Sequence, residues 1–73
     1  MKVRFFEIQY HFLKENTYID LGSKEMSVIP QEGDVLRGKH LWRVVQRTFR
    51  VSNEDNDAED YVELYLVKAN MKN

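Results

Sequence analysis

The sequence predicts an all-β fold: a small single-domain protein, residues 1–73, with a strongly bent antiparallel sheet or barrel of four to five strands. Three observations predict it. Apolar and polar residues alternate along several segments, as strands with one buried face require. Short turn sequences containing glycine or proline separate those segments. Nowhere do apolar residues recur at the three-and-four spacing of a helix over a dozen positions.

The first strand is predicted over Lys2 to Leu13, where aromatic and β-branched residues are frequent. Apolar residues occupy every second position from Phe6 onward, whereas Val3 and Phe5 have the opposite parity. We therefore expect a bulge near Phe5–Phe6. The following segment, residues 14–25, is polar and contains several breakers, so it is predicted to be a loop with room for one short strand.

The middle of the chain alternates short extended segments with turns. Met26 to Ile29 is predicted as a short strand ended by Pro30, whose missing N–H suits a strand end. A turn over residues 30–34 follows, because proline presets φ and Gly33 accepts a positive φ at little cost. Val35 to Arg37 then resumes extended structure.

Two long strands complete the prediction. Gly38 permits a tight reversal into the longest strand, His40 to Val51, so that residues 35–51 form a hairpin. A polar and acidic connection over residues 52–59 leads to the last strand, Asp60 to Ala69. On that strand one face carries Val62, Leu64 and Leu66, and the other carries Tyr61, Glu63, Tyr65 and Val67.

The turn and core positions together carry a resemblance to a known group of proteins. The pattern consists of Pro30-x-x-Gly33-Asp34-x-Leu36, Gly38, Trp42-x-Val44, Arg47-x-Phe49 and Val62-x-Leu64-x-Leu66. It resembles small uncharacterised SH3-like β-barrel proteins of bacteria and phages over roughly residues 28–67. The resemblance implies an SH3-like barrel and implies no catalytic residues.

Composition excludes several classes of protein. Apolar residues make up 42% of the chain and charged residues 32%, which is too apolar for a disordered tail and too charged for a membrane protein. Apolar runs are only a few residues long, whereas a membrane span needs roughly 20. No signal-peptide core follows the basic start. We expect a cytoplasmic protein with no membrane contact.

Charge is segregated between two consecutive segments of the chain, which belong to the last two predicted strands and the connection between them. Residues 37–51 contain five bases and no acid, and residues 52–63 contain six acids and no base. Cross-strand pairing explains part of this pattern if Phe49 lies opposite Leu64 and Arg50 opposite Glu63. In that register Arg47 falls on the apolar face opposite Leu66. Its charge must then reach the rim, be turned outward by a bulge near Gln46, or pair with Asp34. The register also places Val51 opposite Val62 and Thr48 opposite Tyr65.

The sequence contains no pattern typical of catalysis or metal binding. His11 and His40 are the only histidines, there is no cysteine, and no serine has a nucleophile-elbow context. The acidic run 54–60 lacks the glycine and the glutamate that a calcium loop requires. We expect no enzyme activity, no cofactor and no metal, with both histidines at the surface.

We therefore expect a non-enzymatic protein-binding module, such as an accessory or inhibitor protein of a phage or mobile element. Aromatic side chains outside the core are typical of interfaces. The contact residues are predicted to be Tyr61, Tyr65, Glu63, Asp57, Glu59 and Asp60. One alternative is a nucleic-acid-binding barrel that neutralises phosphates with Lys39, Arg43, Arg47 and Arg50. A second alternative is a structural subunit of a homo-oligomer with Tyr65 at a two-fold interface.

Overall fold

A computed structural model describes residues 1–52 and 59–69. Its strands are β1 (Lys2–Gln9), β2 (Thr17–Glu25), β3 (Val35–Arg37), β4 (Leu41–Arg50) and β5 (Tyr61–Lys68). Within these ranges there is no helix, and hence none with the length and hydropathy that a bilayer crossing demands. The predicted all-β class is confirmed.

The five strands form one sheet in the order β2-β1-β5-β4-β3, curled into a half-barrel. This confirms a small bent sheet, but the sheet is mixed because β1 and β5 run parallel while the other pairs are antiparallel. Strand β5 lies at the centre of this order. When no short turn connects two strands, the alternation of side chains along them does not show whether they pair in a parallel or an antiparallel direction.

The core lies on the concave face of the half-barrel. Val3, Val44, Val62, Leu64 and Leu66 are almost completely buried there. Burying each such side chain stabilises the fold by about 1.5–3 kcal/mol. Around this centre pack five partly buried side chains, Phe5, Met26, Ile29, Leu36 and Trp42. The predicted inward set of β5 is therefore confirmed.

The second strand is the largest departure from the prediction. Residues 14–25 were expected to form a loop, yet β2 is nine residues long and exposed throughout. Backbone pairing with β1 stabilises it, which a burial pattern does not reveal. The expected irregularity at Phe5–Phe6 is confirmed, but the extra residue is Leu21 on β2, next to Gly22 with a φ of 103°. Strand β1 also ends at Gln9, earlier than expected.

The segment before β3 is not the predicted strand. Met26 only extends the β1–β2 ladder by backbone bonds to Met1, Met26 and Ile29 pack against the core, and Pro30 is buried. The turn that follows is confirmed: the Asp34 amide donates to the Gln31 carbonyl at 3.0 Å, and the Gln31 amide donates to Asp34 Oδ2 at 2.8 Å. Gly33 adopts a φ of 92° there, which glycine tolerates at little cost.

The β4–β5 register differs from the expected one by two residues. Phe49 lies opposite Val62 and Arg47 opposite Leu64. A slip of two residues leaves every side chain on the same face, so the hydrophobic pattern cannot distinguish the two registers. A bulge near Gln46, one of the three alternatives offered for Arg47, is present, with Val45 as the extra residue between Val44 and Gln46.

Candidate functional site

The convex face of the sheet carries a cluster of aromatic side chains. Because side chains alternate along a strand, Tyr61, Glu63 and Tyr65 of β5 point away from the buried core. The parallel register places Arg4 beside Glu63 and Phe6 beside Tyr65. We name the set Phe6, Tyr18, Tyr61 and Tyr65 the aromatic surface.

Tyr65 is held by two neighbouring rings. The Phe6 ring stacks on it with centroids 5.5 Å apart and planes at 20°, and the Tyr18 ring meets it edge-on at 5.6 Å and 79°. Each aromatic pair of this kind contributes about 0.5–1.5 kcal/mol beyond the area it buries. Phe6 comes from β1 and Tyr18 from the edge strand β2, so the surface spans three strands.

Arg4 links the two ends of the aromatic surface. Its guanidinium carbon lies 5.2 Å from the Phe6 ring centroid and 5.7 Å from that of Tyr61. Its Nη2 donates to Asp20 Oδ2 at 3.0 Å, and this bond raises the pKa of Arg4. The pKa of Asp20 is lowered, first by the hydrogen bond from the Gly22 amide and then by Arg4.

Glu63 supports the aromatic surface from beneath. It is only 7% exposed. Its Oε1 accepts a bond from Arg50 Nε at 2.7 Å and another from the Tyr65 hydroxyl at 3.1 Å. Burial raises the pKa of Tyr65, and the bond to Glu63 raises it further. The bond to Glu63 also raises the pKa of Arg50. Glu63 was expected to contact a partner, but its carboxylate is buried and already has two donors.

A shallow depression of about 300 Å³ lies within the aromatic surface. Gln46 and Glu63 provide its polar lining, and the rings of Phe6, Tyr18 and Tyr65 provide the rest. Apolar walls with a few fixed polar groups are typical of sites that take up one side chain of a partner.

Two of the predicted acidic contact residues border this surface. Glu59 and Asp60 are exposed and immediately precede Tyr61. Asp60 Oδ1 accepts bonds from the amide of Ser52 at 2.8 Å and from its hydroxyl at 3.1 Å, which joins the two ends of the β4–β5 connection. Asp57, the remaining acidic candidate, lies outside the described residues.

The basic residues of β4 do not share one face. Arg50 lies opposite Tyr61 and Arg43 opposite Val67, both on the convex side, whereas Arg47 lies opposite Leu64 on the concave side. Lys39 lies in the exposed turn between β3 and β4. The four bases therefore do not form the continuous basic strip that the nucleic-acid alternative requires.

Arg47 avoids an unfavourable burial at the rim of the concave face. The Val45 bulge aligns it with Phe49, whose ring centroid lies 5.2 Å from its guanidinium carbon. Of the three expected alternatives, Arg47 follows the first and reaches the rim: the bulge does not turn it outward, and the Asp34 carboxylate bonds to the Gln31 amide instead. A guanidinium over an aromatic face keeps its contact with water.

Both histidines are exposed, as expected. His11 Nε2 lies 2.8 Å from Thr17 Oγ1, and the His40 ring meets Trp42 edge-on at 5.9 Å. In the part of the chain that the structure describes, no three potential metal ligands lie close together.

The sequence did not identify Arg4, Phe6 and Tyr18 as members of this site. Phe6 had been assigned to the core face and Tyr18 to a loop. The shared parity of Arg4 and Phe6 on one strand was the available signal, because it opposes that of the buried Val3.

Comparison of the chain with protein-family models, curated proteins and solved structures finds no match.

Proposed function

We propose that this protein is a non-enzymatic protein-binding module whose aromatic surface, with the adjacent acidic residues, contacts a partner protein. The observation that carries the proposal is the fixed position of Tyr65 between Phe6 and Tyr18, with its hydroxyl bonded to Glu63. An aromatic side chain that is already held in place loses little conformational entropy on binding. Tyrosine and arginine are also the residues that most often dominate binding energy at interfaces.

The charges around the aromatic surface favour a partner with basic residues. Arg4 and Arg50 are already paired with Asp20 and Glu63. The chain immediately before Tyr61 is strongly acidic, since residues 54–60 contain five carboxylates and no base. Lysine or arginine side chains of a partner would meet these carboxylates and stack on the exposed tyrosine faces.

The cellular role we propose is that of a small cytoplasmic accessory or inhibitor protein, such as phages and mobile elements encode. The core of this 73-residue chain is small, with five almost completely buried apolar side chains. An outer aromatic surface then remains as the means of contact. An accessory or inhibitor acts by such contact and needs no enclosed active site.

Affinity capture with two matched double variants tests the proposal. Tyr18→Ala with Tyr61→Ala removes two rings from the aromatic surface while leaving the Tyr65–Phe6 stack. Tyr10→Ala with Phe12→Ala removes two exposed rings, 64% and 89% accessible, beyond the end of β1. Both variants delete two aromatics, so a difference between them reports the location of the contact.

We expect the unaltered chain and the Tyr10/Phe12 variant to capture the same protein in stoichiometric amount. The Tyr18/Tyr61 variant should bind that protein at least about tenfold more weakly, which corresponds to a loss of about 1.4 kcal/mol of binding free energy. Equal capture by both double variants would contradict the proposal. So would recovery of nucleic acid alone, abolished by nuclease, or recovery of nothing except further copies of the same chain.

A further inference from the structure

The half-barrel is open between its two edge strands, β2 and β3. A cleft of about 450 Å³ lies along this opening, on the side opposite the aromatic surface. Its apolar lining includes Phe5, Met26, Leu36, Trp42 and Leu66, and its charged lining consists of Lys24 and Arg37. We name this cleft and the two strand edges that border it the open seam.

The β3 edge presents free backbone groups to the open seam. The Val44 amide donates to the Asp34 carbonyl at 2.9 Å, and the Gly38 amide donates to the His40 carbonyl at 3.0 Å. In an antiparallel pair, alternate residues bond to the partner strand. Positions 34, 36 and 38 therefore face β4, and the N–H and C=O groups of Val35 and Arg37 face the seam.

The β2 edge does the same from the other side. The Met1 ammonium donates to the Met26 carbonyl and the Met26 amide donates to the Met1 carbonyl, each at 2.9 Å, which marks this pair as a bonded position. Lys24, opposite Val3, is the next bonded position toward β1. Alternation then directs the N–H and C=O groups of Ser23 and Glu25 into the seam.

We propose that the open seam accepts an extended segment of a partner protein, which pairs with the sheet as a sixth strand. The segment would place alternate apolar side chains on Leu36 and Trp42, and a carboxylate on its other face near Arg37. Backbone bonds would provide affinity and the side chains selectivity. This binding does not depend on the aromatic surface and is independent of the function proposed above.

Four features favour a peptide strand over a small ligand or a second copy of the chain. Both edges offer donors and acceptors at two-residue spacing, which an extended backbone matches. Among the residues that the structure describes, the cleft lining includes two cationic residues and no acidic one, so an acidic segment is complementary. A residue of a packed strand occupies roughly 160 Å³, so the cleft takes about three residues, the length of β3. The Leu21 bulge limits regular pairing of β2 to its end near Glu25, which disfavours continuous pairing with another β2.

A designed peptide provides the test. Acetyl-SVTLEVS-amide alternates apolar and polar residues and carries one carboxylate, and acetyl-SVVLTES-amide has the same composition without the alternation. The titration follows backbone amides by NMR and Trp42 by fluorescence, since Trp42 is the only tryptophan and lines the cleft. We expect saturable binding of the alternating peptide, with slowed hydrogen exchange at Ser23, Glu25, Val35 and Arg37. The scrambled peptide should bind at least about tenfold more weakly.

Variants of the protein sharpen the result. Val35→Pro removes one N–H that faces the seam but none that faces β4, and we expect it to weaken the alternating peptide about fivefold or more. Arg37→Glu keeps the backbone of β3 but reverses the charge on the face where the peptide glutamate lies, so it should weaken that peptide and favour acetyl-SVTLKVS-amide instead. This charge exchange decides the question even if the proline variant does not fold.

The proposal is overturned if neither peptide binds saturably at low millimolar concentration, if both bind equally, or if the shifted amides lie on the aromatic surface. The Tyr18→Ala, Tyr61→Ala variant should bind the alternating peptide as the unaltered chain does. This result separates failure of the open seam from failure of the aromatic surface.

Discussion

Replacing Glu63 with glutamine tests whether the buried carboxylate fixes the aromatic surface. The change keeps the size and shape of the side chain but removes its charge, so the bonds from Arg50 and Tyr65 lose their charge assistance. A hydrogen bond to a charged group is worth about 1.5–3 kcal/mol. The Arg50 side chain is 55% exposed and regains water when released. We therefore expect a loss of about 1–2 kcal/mol, which lowers the Tm of so small a domain by about 4–16 °C.

Urea unfolding followed by Trp42 fluorescence measures this loss. Glu59→Gln is the matched control, because it removes an exposed carboxylate of the same type four positions earlier and should change stability by less than about 0.5 kcal/mol. Arg50→Gln completes a double-mutant cycle with Glu63→Gln, and the two changes should be non-additive by at least about 0.5 kcal/mol. A Glu63 variant as stable as the Glu59 variant, or strict additivity in the cycle, would refute this role of Glu63.

Four further outcomes follow from the same contacts. Leu64→Ala should lower the free energy of unfolding by about 2–5 kcal/mol in chemical denaturation, because the side chain is completely buried. A loss below about 1 kcal/mol, half the smallest expected value, would contradict the central place of Leu64 in the core. Gly22→Ala should lower the free energy of unfolding by about 1 kcal/mol or more, because Gly22 has a φ of 103° that alanine rarely adopts. Gly38 has no positive φ, so Gly38→Ala should lower the Tm less than Gly22→Ala does. Asp20→Asn should be less stable than the unaltered chain at neutral pH. Since the pKa of Asp20 is lowered by folding, that difference should shrink as the pH falls below the ordinary value of 3.8 in a series of urea curves. Tyr65 should ionise above the ordinary tyrosine pKa of 10.0 in an ultraviolet titration, because burial raises its pKa, and its contribution to stability should be lost as the pH rises through its folded pKa.

Sequence patterns predicted those parts of the fold that burial and turn chemistry determine. The inward set of β5, the turn at Gly33 and the bulge beside Gln46 each have a local signature, and the structure contains all three. Strand β2 has no such signature because all nine residues are exposed. The parallel β1–β5 pair joins strands distant in the chain, and the β4–β5 slip of two residues leaves both faces unchanged. Periodicity carries no information about either feature.

The candidate site was predicted only in part for the same reasons. Tyr61 and Tyr65 followed from alternation along β5. Predicting that Phe6 and Tyr18 lie beside them would have required knowing that β1 pairs with β5 and that β2 exists. Glu63 was predicted to face outward, and it does, but the side chains of Arg50 and Tyr65 approach it and it is buried.

Cross-saturation NMR on the isotope-labelled protein bound to its captured partner tests most directly whether the aromatic surface is the contact. Irradiation of the partner should attenuate the amides of Phe6, Tyr61 and Tyr65, on the convex face, more than those of Leu36 and Trp42. Attenuation confined to Leu36, Trp42 and their neighbours would contradict the account, because it would place the partner on the concave side of the sheet.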